Sequence, residues 1–467
     1  MAKKMTFALA FCNRGFMPGE LIYGAREDMG KAVTDAGYDY IMMDAELTRF
    51  GGIETRGEGL LYAKWLKEHE GQYAGVIFSM PIIADENGAI TALQDAGVPI
   101  LMQAYPDEIG KMDFAHRRDA YCGKFSVTDV FTQYGVPFTV LKPHVVHPLS
   151  PKFQENLHDF AAICRVVNGM KRFNLGCIGA RTTAFKTVRF DEIALQKHGI
   201  NVESFDLSEV FDKIAAKRDD DPVVTAKIER LKNYTDFSNV PRENMLNLGK
   251  LGVVIDEYID EYHLDALALR CWNEMESHLR ICPCVLLSEL NDRGITASCE
   301  FDMCSAVCMR AMSLATEKPS AVLDWNNNYG DDENKVILFH SGPVAQSLMT
   351  CKGTVGNHKM FDKTDPGSGW GCNEGRIKPM PITISNCQTK DGKIVLYASE
   401  AKFTDDPIED GYFGCAGVAE IDGLQDKLIT LARGGFKHHT AITEGHVKDI
   451  LKEAFTTYLH YDWVEID

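Results

Sequence analysis

No apolar run in this chain of 467 residues approaches the ~20 needed for a helix to cross a bilayer, which argues against a helical membrane protein. None of its 14 cysteines forms a C-x-x-C pair, so neither a structural zinc site nor a paired-thiol redox motif is indicated. Those cysteines are scattered through core-like segments, and reduced thiols are expected. There is no excess of basic charge: the net charge of −18 repels polyanions and disfavours nucleic acid or anionic membrane as non-specific partners. Internal repeats, low-complexity tracts and disordered linkers are also lacking. The opening run Thr6 to Cys12 is too short for a signal h-region with its cleavage site, and reads as the first strand of a cytoplasmic protein. Gly176 and Gly179 follow a strand-like run, but the full G-x-G-x-x-G fingerprint is missing, and a plain strand-to-helix turn is the simpler reading.

What is present is an ordinary globular composition, 45% hydrophobic, long enough for about three domains. In the first third, apolar runs at 6–12, 38–44, 74–81 and 98–103 alternate with helical patterns at 19–36, 56–69 and 85–96. Apolar strands separated by helices of that length predict a parallel sheet covered on both faces. A second such unit starts near residue 170, with strands at 173–181, 201–207 and 251–255 and helices at 190–198, 242–249 and 273–291. Beyond residue 345 the texture turns strand-like at 379–385, 393–403 and 427–433, with turns at Asp391-Gly392 and Asp410-Gly411 and a closing helix at 446–459. The expected fold is α/β: two doubly wound parallel-sheet α/β domains followed by a C-terminal antiparallel, barrel-like β domain. The boundaries are 1–169 (substrate access and subunit contacts), 170–345 (metal-site carboxylates) and 346–467 (the histidine pair).

Four distant phrases each offer a metal ligand in a turn-like setting: Cys299-Glu300-Phe301-Asp302, Asp324-Trp325-Asn326-Asn327-Asn328, Phe339-His340-Ser341-Gly342 and Gly434-Gly435-Phe436-Lys437-His438-His439-Thr440. Two carboxylates with one or two imidazoles suit a divalent ion such as Mn²⁺. Taken singly, each has an ordinary alternative. Asp302 could serve as ligand in place of Glu300, Asp324 could close an Asx turn with the asparagine run, and His438-His439 could be a surface pair. Cys282-Pro283-Cys284, Cys299, Cys304 and Cys308 read as core cysteines on a helix and its leading loop. Arg117, Arg118 and Lys124 form either an anion-binding patch or a solvated helix end, and Lys142, His144 and His147 either a loop or a polar lining.

In order and spacing these four phrases, with Asn13-Arg14-Gly15-Phe16-Met17-Pro18 near the start, resemble the L-fucose/L-arabinose isomerase family. The resemblance spans essentially the whole chain. It implies two α/β domains and a C-terminal β domain, a homo-oligomer of three or six subunits, and Mn²⁺-dependent interconversion of aldoses and ketoses. By motif, Glu300 and Asp324 resemble the metal-bound catalytic carboxylates. One of His438 and His439 resembles the C-terminal ligand, His439 being favoured by its place before Thr440, and His340 resembles the extra ligand of the arabinose branch. Asp324 stands where that branch has glutamate, and the chain is shorter than typical fucose isomerases, so it sits cleanly in neither subgroup.

The chemistry asks for such groups. A proton must move between C1 and C2 through a cis-enediol(ate), so charge on two adjacent oxygens needs stabilising while carboxylates remove and return the proton. Arg14, Trp325, Asn326, Arg117, Arg118 and Lys124 are the candidate substrate-binding residues, with Arg14 reaching a neighbouring subunit's site as the resemblance implies. A neutral sugar such as L-fucose or L-arabinose needs hydroxyl-binding groups and an apolar wall. A sulfosugar such as sulfoquinovose needs a guanidinium for its sulfonate. The contrasting expectation is a non-catalytic sugar-binding or regulatory protein, since paired α/β domains also build periplasmic-type binders.

Overall fold

The computed structural model describes residues 4–409 and 411–466; the expected Asp410-Gly411 turn therefore lies partly outside the described residues. The chain forms two compact units, Met1–Asn168 with Glu453–His460, and Gly169–Lys452 with Tyr461–Asp467.

In the first unit, strands β1 (Thr6–Phe11), β2 (Asp39–Met42), β3 (Gly75–Met80) and β4 (Ile100–Ala104) form a parallel sheet in the order β2-β1-β3-β4. Successive side chains of a strand point to opposite faces. Accordingly Ala8, Ala10, Val76 and Phe78 join one core cluster, while Phe7, Leu9, Phe11 and Ile77 join another. That division explains why the strands read as unbroken apolar runs: both faces are covered by helices.

The second unit repeats the scheme with β5 (Phe173–Ile178), β6 (Ile200–Phe205), β7 (Ala266–Leu269) and β8 (Thr296–Ser298), parallel in the order β6-β5-β7-β8. Gly179 takes the chain out of β5 at φ 87°, with Arg270 and Leu207 packed where a Cβ would sit, so the strand-exit reading of this glycine is the structural one.

Among the described residues this unit has nine further strands: β9 (Ser320–Tyr329), β10 (Asp332–His340), β11 (Thr354–Asn357), β12 (Trp370–Arg376), β13 (Met380–Lys390), β14 (Lys393–Phe403), β15 (Cys415–Glu420), β16 (His439–Glu444) and β17 (Asp462–Trp463). The ring β15-β10-β9-β16-β13-β14 closes on itself through a β14–β15 pairing, and every pair in it is antiparallel. Closure leaves no free edge within the ring. The Asp391-Gly392 hairpin turn has both residues at positive φ, 52° and 75°, as a tight β13–β14 connection requires.

Three expectations are corrected. Residues 251–255 are not a strand but part of one helix, Arg242–Tyr262, whose Leu251, Val253, Val254 and Ile255 are all buried. A short apolar run cannot by itself separate a buried helix from a buried strand. Residues 427–433 belong to the helix Leu424–Gly434, which buries Leu424 and Leu431 and leaves Ile429 exposed; the β-branched pair Ile429-Thr430 has a local strand preference that tertiary packing overrides. Finally, β9 and β10 belong to the barrel, so its sheet begins at Ser320, ahead of the boundary expected at 345/346.

Candidate metal and sugar site

Glu300 follows β8 in a turn where it and Phe301 both hold left-handed backbone, φ 59° and 65°. Two adjacent non-glycine residues in that region are strained, and such strain collects at functional sites. The helix Met303–Thr316 starts immediately afterwards. Asp302 is its N-cap, accepting from the Ser305 backbone N–H at 3.0 Å and from the Ser305 hydroxyl at 2.6 Å. This helix packs against β8, β9, β13 and β16, which ties the turn to the barrel strands.

Asp324 lies on β9 directly opposite His439 on β16, so both side chains leave the same face. The β9–β10 pairing slips by one residue between Asn327↔Ile337 and Trp325↔Leu338, close to Asp324, a bulge of the kind found beside active sites. His340 ends β10.

Two overlapping groups result. Glu300, His340 and His439 each offer a ligand atom within 4.8 Å of the others, and so do Asp324, His438 and His439. His439 is common to both and fully buried, with Nε2 at 2.9 Å from Glu300 Oε2 and 3.5 Å from Asp324 Oδ1. Its Nδ1 faces Asp302 Oδ2 at 2.7 Å. That contact directs Nε2 at the two carboxylates, which is the arrangement by which an outer carboxylate orients a metal-binding imidazole. Asp302, one of the open choices for the ligand, thus stands behind the histidine. Its other oxygen takes Lys437 Nζ at 2.5 Å, with both residues buried.

His438 is more exposed, at 3.6 Å from Asp324 Oδ1 and edge-on to the Phe185 ring. His340 is 2% exposed. Its Nδ1 accepts the Ser341 backbone N–H at 2.9 Å, which leaves the proton of a neutral ring on Nε2, and ligation through Nε2 would need the opposite tautomer.

Burial opposes charge on Asp302, Glu300 and His439, yet there the ion pairs prevail, whereas for His438 burial prevails and lowers the pKa. Lys437 and His439 hold the Asp302 carboxyl well below the usual range, and His439 brings Glu300 down to about 2. For His439 itself, burial is outweighed by the hydrogen bonds to Asp302 and Glu300, and its pKa rises to about 10. Asp324 Oδ1 and His340 Nε2 are buried with no hydrogen-bond partner. Unpaired buried polar atoms are costly, and an ion coordinated here would satisfy the carboxylate. The donor set of carboxylate oxygens and imidazole nitrogens fits a borderline or hard divalent cation.

Glu300 and Ser341 also line a 390 Å³ pocket with Trp272, Glu276 and His358. Trp325 and Asn326 do not line it: Trp325 packs against the barrel core, and Asn326 lines a separate 430 Å³ cavity with Tyr329, Phe339 and Tyr412. The other candidate substrate residues belong to the first unit and have partners there. Arg14 donates to the Ala84 carbonyl at 2.9 Å and pairs with Glu86 at 2.7 Å. Arg117 pairs with Asp119 at 2.7 Å, and Arg118 donates to the Pro81 carbonyl and lies over the Tyr105 ring. Lys124 is buried and donates to the His144 carbonyl at 2.8 Å. The sequence reading missed Lys437, Glu276 and His358. Lys437 did carry a signal, as a lysine inside the histidine phrase, whereas nothing local marks Glu276 or His358.

Residues 8–171 match the family model for the fucose/sulfoquinovose isomerase N-terminal domain, and residues 338–467 that for the L-fucose isomerase C-terminal domain. A sulfoquinovose isomerase of Priestia aryabhattai is 22% identical over 385 residues, covering 81% of this chain and 82% of the relative. One from Alkalicoccus urumqiensis is 23% identical over 279 residues, covering 58% and 60%. Among solved structures, a periplasmic solute-binding protein of Actinobacillus succinogenes with bound D-allose aligns at 11% identity over 68% of this chain and 93% of its own, but a TM-score of 0.17 carries no argument for the sugar-binder alternative. The chain belongs to the L-fucose isomerase-like family of sugar isomerases, whose reaction interconverts aldoses and ketoses.

Proposed function

We propose that this chain is a divalent-metal-dependent aldose–ketose isomerase acting through a cis-enediol(ate), with Glu300, Asp324 and His439 as the ligand set. The observation that carries the reading is the pair of triads meeting at His439, backed by the Asp302 contact to its Nδ1. His438 is the less favoured alternative because it is exposed, whereas His439 is buried with the Asp302 carboxylate behind it. His340 stands as a neighbour of the ion, with its role in coordination governed by its tautomer. Mn²⁺ suits the mixed oxygen and nitrogen donors.

When bound, such an ion would polarise the two adjacent sugar oxygens as a Lewis acid. The chain supplies the rest. Glu300 and Asp324 approach from different elements, the strained turn after β8 and the strand β9, so the two carboxylates can work from different sides of a substrate. One takes the proton from C2 of the aldose and one returns it at C1. His439 must be neutral to ligate, so binding of the ion would release the proton that the imidazole shares with Asp302 and Glu300. Asp302 and Lys437 keep the imidazole from turning away.

The substrate class extends over neutral sugars such as L-fucose or L-arabinose and the sulfonated sugar named for the relatives. The same reading expects a cytoplasmic homo-oligomer of three or six subunits. In the first unit Phe16, Ile109, Phe114 and Phe125 are all more than half accessible and are open to contact with a partner.

The test is incubation with Mn²⁺ and a panel of aldoses in D₂O, reading ketose formation and deuterium at C2 of recovered aldose. Glu300→Gln and Asp324→Asn should each lower turnover by several orders of magnitude with the fold intact. Neither ketose nor deuterium with any sugar, at stoichiometric metal, would overturn the reading.

A further inference from the structure

The histidine pair and the pocket beside Glu300 meet at an aromatic side chain that neither metal binding nor proton transfer uses. Phe185 lies in the segment between β5 and the helix Glu192–Lys197, and it is half-buried. Its ring centroid is 5.4 Å from that of His438, edge-on, and 5.8 Å from that of His439. It also meets Trp272 edge-on at 5.4 Å, and Trp272, itself half-buried, lines the pocket together with Glu300. The segment is tied to the site on either side of Phe185. The Thr182 hydroxyl donates to the Trp272 carbonyl at 2.8 Å, and the Phe190 ring is 6.1 Å from Phe301, the residue after Glu300. The Phe185 backbone N–H closes a turn on the Thr182 carbonyl at 2.9 Å.

A ring that touches both imidazoles and the pocket wall stands where a sugar held by its oxygens presents its carbon skeleton. Small-ligand sites combine a few placed polar groups with aromatic walls, and here the polar groups are the carboxylates and imidazoles. We propose that Phe185 is a substrate-binding residue, forming with Trp272 an apolar wall against which the C–H groups next to the reacting carbons lie while their oxygens face the metal site. The proposal rests on the isomerase reading above and deepens it by naming the contact that orients the carbon skeleton. Ligands to two adjacent oxygens fix those oxygens but leave the skeleton free to tilt about the line joining them. A wall on one side removes that freedom, and the hydrogen to be abstracted is then presented to a carboxylate in one orientation. Both rings keep apolar surface that a bound sugar covers, and covering it is itself favourable.

The experiment compares wild type, Phe185→Ala and Phe185→Tyr in three measurements. These are Mn²⁺ affinity by calorimetry, steady-state kinetics on L-fucose, L-arabinose and sulfoquinovose, and calorimetric binding to the Mn²⁺-loaded chain of the alditols reduced from these sugars, which cannot isomerise. For the best substrate and its alditol, Phe185→Ala should raise KM and weaken alditol binding by about tenfold or more, with Mn²⁺ affinity changed less than about threefold. Phe185→Tyr keeps the aromatic face and should stay within about threefold of wild type throughout. A KM and an alditol affinity indifferent to Phe185→Ala overturn the proposal. So does a loss that disappears at saturating Mn²⁺, since the ring then serves only to pack the histidines. If no sugar is turned over, the isomerase reading falls, and the alditols still decide this one: binding weakened by Phe185→Ala supports the wall, and failure of every alditol to bind the wild type overturns it.

Discussion

Asp302 shows how a single side chain sets the character of its neighbours. As helix N-cap it is held by Ser305, while Oδ1 takes Lys437 and Oδ2 faces His439. Asp302→Asn should keep the cap, since asparagine caps nearly as well, but it weakens the hold on the His439 ring. Losing an outer partner of this kind costs about 10- to 100-fold in metal affinity, so titration with Mn²⁺ should read a loss of that size while circular dichroism stays native; unchanged affinity would show that Asp302 does not orient the ligand. Glu276 makes a separate prediction about pH. Burial, with smaller contributions from Cys284 and Glu274, raises its carboxyl from 4.5 to about 8. Between those values the folded chain keeps a proton that the unfolded chain has released, so this group makes stability fall as pH rises through the window. Glu276→Gln cannot ionise. Its melting temperature relative to wild type should climb from pH 5 to pH 8, by the equivalent of a few kcal/mol at most, and a flat difference would mean that the carboxyl ionises freely.

At the scale of elements, the second unit is braced by a buried charge cluster that has no part in the site. Lys227, 6% exposed, bonds Asp256 at 2.9 Å and Glu289 at 3.2 Å, and Arg293 reaches Asp256 at 2.6 Å. Arg230 also pairs with Glu289. These contacts join the helices Pro222–Tyr234, Arg242–Tyr262 and Cys284–Asp292. Glu289→Ala would leave Lys227 with only one partner in the interior, which costs about 3–5 kcal/mol, measurable by urea unfolding; a cost below about 1 kcal/mol would show that water screens the cluster. The helix Arg242–Tyr262 also shows where periodicity misleads. Its Leu251 to Ile255 segment is apolar on every side because the middle of this helix is buried on more than one face, and a run of five such residues carries no period to read. The helix Leu424–Gly434 was obscured differently, by exposed Ile429 and half-buried Thr430, β-branched residues whose strand preference tertiary packing overrides. By contrast, all four strands of the first parallel sheet were legible, and β5 and β6 of the second, since long apolar runs between amphipathic helices admit few alternatives; β7 and β8, four and three residues long, were too short to read.

For the whole molecule, the site draws on the turn after β8 and on barrel strands β9, β10 and β16. A bound ion would therefore link the parallel sheet of the second unit to its barrel. Any ligand that binds only the folded state adds RT ln(1 + [L]/Kd), about 2.7 kcal/mol at 100 times Kd. Chelation should lower the melting temperature and Mn²⁺ should restore it, while Glu300→Gln should respond to neither. An equal response from wild type and variant would place the stabilising ion elsewhere.

The amino-acid sequence by itself determined the class of architecture and the chemical kinds gathered here, because the alternation of apolar runs with helical segments is local, and so are the phrases that carry Glu300, Asp324, His340 and the histidine pair. Only the tertiary structure decided among neighbours. His439 is buried and His438 exposed because adjacent residues at the start of a strand face opposite ways. Asp302 stands behind His439 across 137 positions of chain, and Glu276 shares a pocket with His358 although no local pattern connects them. Such relations depend on strand register and barrel closure, which bring distant segments together and leave no trace in the spacing of residues along the chain.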